Sequence, residues 1–187
     1  FLYLFATATG MIRGDTDLGL FMFRGFFSTS STVLAAACCA LHNALVFHSE
    51  EHISNFFIHF SPLVLCWTLH CNSQALETAW PGYFPHARDK PDVGFVDFYV
   101  PGLVFYLAWW VPYAIWLHLF GISVKERTGL ETLFDLECDP KRDDLLGIMR
   151  RNGFTEKFKA YGISERRGGV WFYLGVHATM CLGVMLP

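Results

Sequence analysis

Three histidines and two glutamates fall within twelve residues of one another, in the segment from His48 to His59. On an α-helix, residues three, four or seven apart share a face. His48, His52, Asn55 and His59 therefore form one stripe, with Glu51 beside it and Ser54 on Glu51's side. An imidazole with a pKa near ~6.5 suits general base work, and a nearby carboxylate fixes its tautomer and stabilises its imidazolium form. In this reading His59 is the base for a hydroxyl that attacks an ester or thioester. Glu51 orients it or another polar partner, and Ser54 and Asn55 supply hydrogen bonds.

The stripe adjoins apolar stretches. The chain has 187 residues, 53% hydrophobic and 17% charged. A soluble domain carries about 25% charge, and here the charge is clustered, leaving long uncharged runs. A helix needs about 20 residues to cross the hydrocarbon core. Residues 26–47 and 98–120 meet that length without charge, while 56–71 does so only if its helix begins within the polar segment 48–55. Residues 1–12 read as the tail of one span, and a further incomplete span begins near Gly169. The expected fold is all-α, a polytopic transmembrane bundle forming a single membrane domain over 1–187. With apolar runs at both ends it reads as a fragment of a longer protein.

Ten of the 14 Lys and Arg residues lie within 121–168. The positive-inside rule places that basic loop in the cytosol. Counting back, 72–97 is lumenal, the His48 segment cytosolic and 13–25 lumenal. Within the loop, Leu145, Ile148, Met149 and Phe154 recur at near-helical spacing among arginines. A basic amphipathic helix of this kind is expected to lie on the anionic membrane surface. The alternative is that some of its cations hold phosphates.

Ionisable groups inside a membrane cost at least about 2.5 kcal/mol and face a bundle interior or a water-filled cavity. That favours function for the histidine stripe over helix–helix hydrogen bonding. One alternative is a transporter or interaction protein with the stripe along a polar pathway. Another is a di-iron oxidase, because His48 and His52 have the spacing of one histidine box. The remaining histidines, His42, His70, His86, His118 and His177, are scattered singly, so no metal site is expected. The six cysteines contain no CxxC pair, so neither a zinc ribbon nor a disulfide framework is indicated. Nucleophile elbows, phosphate loops and dinucleotide fingerprints are missing too. Nothing points to a nucleic-acid partner.

The run from Leu45 through Phe47, Glu51, Ile58 and His59 to Pro62 resembles the glycerophosphocholine acyltransferase family of yeasts, plants and protists. Pro101, Tyr106, Trp109, Trp110 and Tyr113 look like that family's Pro- and Trp-containing span, and Thr179, Met180, Leu186 and Pro187 like the span after its basic loop. His52 stands where the family has Lys, and Asn55 near its Ser. The resemblance implies a multi-pass enzyme of the endoplasmic reticulum membrane, embedded in membrane lipid. It would take acyl-CoA as co-substrate, bind no cofactor, and acylate glycerophosphocholine to lysophosphatidylcholine. His48 and His52 would then assist substrate binding. Trp109 and Tyr113 would face the choline cation, since quaternary ammonium groups favour aromatic faces.

Overall fold

The computed structural model describes residues 17–40, 49–81, 94–132, 134–135, 138 and 145–185. Among these, 88% are helical and none lies in a strand, so the fold is all-α. Three helical stretches are long and apolar enough to cross a membrane: Asp17–Ala37, Phe95–Leu119 and Glu165–Met185. The chain divides into two compact units, one of Phe1–Leu107 with Cys181–Pro187 and one of Ala108–Met180.

In the first unit, α1 (Asp17–Thr29) passes through a π-helical turn, Ser30–Leu34, into α2 (Ala35–Ala40). The turn follows from a run of hydroxyl residues. Thr29 Oγ1 donates to the Gly25 carbonyl at 2.8 Å and Thr32 Oγ1 to the Ser28 carbonyl at 2.6 Å. Such back-bonding competes with the main-chain ladder and loosens it. The expected lumenal stretch 13–25 is corrected here, because from Asp17 onward it is helix and part of a candidate span. Arg24 is accommodated there by an ion pair to Asp97 at 3.3 Å.

The next helix, α3 (Glu50–Cys71), starts inside the polar segment, as its length requires. Ser49 is its N-cap: its backbone is extended, its Oγ accepts the His52 N–H, and its carbonyl accepts the Ile53 N–H at 3.0 Å. At 22 residues α3 is about 33 Å long. Its polar residues nevertheless keep it out of the set apolar enough to span. A short α4 (Ser73–Ala79) follows, and α5 (Phe95–Leu119) starts where Asp97 Oδ2 accepts the Gly94 N–H at 2.8 Å. Phe23 and Leu69 are buried among Met22, Phe26, Phe27, Leu65 and Leu76. The Phe27 ring also packs on Trp67, His70 and Phe98.

The second unit takes the C-terminal part of α5, a 3-10 turn, α6 (Val124–Thr128), α7 (Leu145–Arg151), α8 (Phe154–Ala160) and most of α9 (Glu165–Met185). The amphipathic segment is helical, as two helices in place of one. It breaks at Gly153, whose φ of 71° is left-handed and favours glycine. It also packs inward: Leu146 and Met149 join Ala114, Leu117, Phe134, Cys138, Val170, Tyr173 and Leu174 in one core. Ile148 and Phe154 are left outside, 43% and 38% exposed. Met149 is fully buried, so Met149→Ala should destabilise the protein by about 2–5 kcal/mol. Ile148→Ala should stay within about 0.5 kcal/mol. Thermal unfolding in detergent measures both, and equal effects would overturn the packing of Met149 into this core.

The last span begins earlier than the sequence indicates, at Glu165 instead of near Gly169, and runs 21 residues. Ser164 starts it, with its carbonyl accepting the Gly168 N–H at 2.8 Å and its Oγ near the Arg167 N–H at 3.5 Å. The charges of this first turn are held by partners distant in sequence: Arg150 on Glu165 at 2.7 Å, and Glu126 on Arg166 at 2.7 Å.

Candidate functional site

The histidine stripe lies on the N-terminal half of α3, in the first unit. His48 is outside the described residues, and so is the side chain of Glu51. His52 is exposed, and its Nδ1 lies 2.7 Å from Ser49 Oγ, the same hydroxyl that accepts its N–H. It therefore acts as part of the helix cap. Ser54 and Asn55 are exposed as well.

His59 is held differently. Its Nδ1 lies 2.7 Å from the Asn55 main-chain carbonyl. A carbonyl oxygen only accepts, so Nδ1 carries the proton and the ring lone pair is on Nε2. On the Nδ1 side, the group that fixes the tautomer is thus a backbone carbonyl one turn earlier. Glu51 precedes His59 by eight residues, about 12 Å of axial rise along the helix. The Asn55 contribution comes from its main chain instead of its amide. Sequence spacing alone did not reveal this, because every helical residue offers a carbonyl to the residue four places on. Downstream on the same helix a groove of about 410 Å³ is lined by Phe60, Leu63, Val64, Trp67, Thr68, Cys71 and Asn72.

Trp109 and Tyr113 belong to the second unit. Their rings stack at 5.1 Å with an 11° interplanar angle, Tyr113 stacks on Trp116 at 6.1 Å, and Trp109 meets His177 at 5.4 Å. The rings form a ladder along α5 and α9.

The second unit also holds a cavity of about 720 Å³ lined by His118, Gly162, Ile163, Ser164, Arg167 and Trp171. In the sequence His118 is one of the singly scattered histidines and Arg167 one cation of ten. Their 49-residue separation (167 minus 118) carried no local signal. Most other cations of this segment have partners: Lys125 on Glu131 at 2.7 Å, Lys159 on Glu156 at 3.1 Å, and Arg127 on the Phe120 and Ser123 carbonyls. Among the described residues no three His, Cys, Asp or Glu side chains are grouped as metal ligands.

Comparison of the chain with protein-family models, with curated proteins and with solved structures finds no match.

Proposed function

We propose that the chain belongs to a multi-pass, acyl-CoA-dependent acyltransferase of the endoplasmic reticulum membrane, which acylates glycerophosphocholine to lysophosphatidylcholine. The observation that carries this reading is His59, whose Nδ1 is committed to the Asn55 carbonyl and whose Nε2 has the lone pair of a general base. It stands in the very run, Leu45 to Pro62, that resembles the glycerophosphocholine acyltransferases.

The chemistry proceeds in two proton movements. Nε2 takes the proton of a glycerol hydroxyl as its oxygen attacks the thioester carbonyl of acyl-CoA. The tetrahedral adduct collapses, the carbon–sulfur bond breaks, and the imidazolium returns the proton to the departing CoA thiolate. The groove that begins at Phe60, next to His59, is apolar over its first turns and suits an acyl chain.

Purified protein in detergent, given acyl-CoA and glycerophosphocholine, should release free thiol at a rate that depends on glycerophosphocholine. Thiol release that ignores this acceptor overturns the reading. Acceptor-independent solute uptake into liposomes would instead favour a transporter.

A further inference from the structure

We infer that the cavity between the end of α5 and the start of α9 binds a phosphate group, with Arg167, His118 and the first turn of α9 as its ligands. The site stands on the second unit alone and is independent of the acyl-transfer reading.

Three features converge on it. Arg167 lines the cavity, is exposed, and has no carboxylate partner among the described residues. The acid nearest in sequence, Glu165, is occupied by Arg150 at 2.7 Å, and Arg166 is occupied by Glu126 and Asp135. Arg167 is thereby left as the cation of this turn that faces open volume. His118 supplies the second feature. Its ring packs on Trp171 at 4.4 Å between centroids, and its Nε2 is buried without a hydrogen-bond partner. A buried imidazole nitrogen that makes no hydrogen bond is costly to leave so, and an anion's hydroxyl or oxygen would satisfy it.

The third feature is the backbone. The Gly168 N–H is the first in α9 to bond a carbonyl of the helix's own start, that of Ser164. The Arg167 N–H meets Ser164 Oγ at 3.5 Å, and the N–H groups of Glu165 and Arg166 ahead of it have no carbonyl within the helix to bond, with the positive end of the helix dipole behind them. Helix N-termini with an adjoining arginine favour phosphate because guanidinium and N–H donors both match its oxygens. Gly162, with φ of 72°, makes the turn from α8 towards this helix end.

The cavity's position narrows the ligand. His118 is in the last turn of one candidate span and Arg167 in the first turn of another. Both therefore sit at an end of a candidate span, where apolar helix gives way to polar sequence. The phosphate can come from a bilayer lipid or from a soluble phosphate ester.

The test uses the full chain in zwitterionic detergent, without acyl-CoA. One arm titrates inorganic pyrophosphate by calorimetry. The other measures phosphatidic acid against phosphatidylcholine retained on the protein. Binding in either arm, weakened roughly tenfold or more by Arg167→Gln and by His118→Gln, supports the site, and the responding arm identifies the source. Arg167→Lys should bind at an intermediate level, which separates loss of charge from loss of fold. His59→Ala should bind like the unsubstituted protein, so failure of the acyl-transfer chemistry would not be confused with failure of this site. Absence of binding in both arms overturns the inference. So does an equal loss on Lys159→Gln, because that cation lies outside the cavity.

Discussion

Replacing His59 with alanine should lower glycerophosphocholine-dependent thiol release by roughly 10²–10⁴-fold, the usual contribution of a positioned general base. The more informative variant is His59→Asn. An asparagine amide can donate to the Asn55 carbonyl much as Nδ1 does now, but it cannot take up a proton at physiological pH. If His59 only secures the helix, His59→Asn should restore turnover. If it is the base, His59→Asn should restore the unfolding temperature and leave turnover as low as in His59→Ala. Wild-type turnover in either variant removes His59 from the chemistry.

The second large effect concerns packing in the first unit. A Cβ added at Gly102 would collide with the Oγ and Cβ of Ser28, and one added at Gly25 would come within 2.5 Å of the Phe105 ring and 3.0 Å of the Pro101 carbonyl. The α1 and α5 backbones thus approach each other through small residues, as helices in membranes do when van der Waals packing drives association. Gly102→Val should destabilise the protein by about 1–3 kcal/mol, the range for overpacking a close contact. Adding Ser28→Gly should recover part of the loss. Gly175, where an added Cβ meets nothing within 4 Å, is the comparison. Gly175→Ala should be neutral or stabilising, because alanine favours helix over glycine by about 1 kcal/mol. Equal melting of Gly102→Val and the parent protein would sink the close-packing account.

These effects differ in how far they could be foreseen. The proposal of a His59 base rests on residue types and helical spacing, which are local properties. Its partner does not. The sequence draws attention to Glu51 in the same polar cluster, whereas the contact seen at Nδ1 is the Asn55 main-chain carbonyl. His52 shows the same limit, since its ring is engaged by the capping hydroxyl of Ser49. The phosphate cavity lies beyond local reading altogether. His118 and Arg167 meet only because two separate helices end and begin beside one another.

The all-α class, the helical start of α3 inside its polar segment and the apolar character of α5 were determined by the sequence itself. Hydropathy and helical period are summed over neighbouring residues, and no distant contact is needed to read them. Tertiary structure decided three other matters. The arginine-rich segment folds onto a core around Met149. The final span reaches back to Glu165 because Arg150 and Glu126 neutralise its charged first turn. Arg167 is left facing a cavity for the same reason. In each case a charge or an apolar face could be satisfied in several ways, and the choice was made by which groups the fold brought within reach.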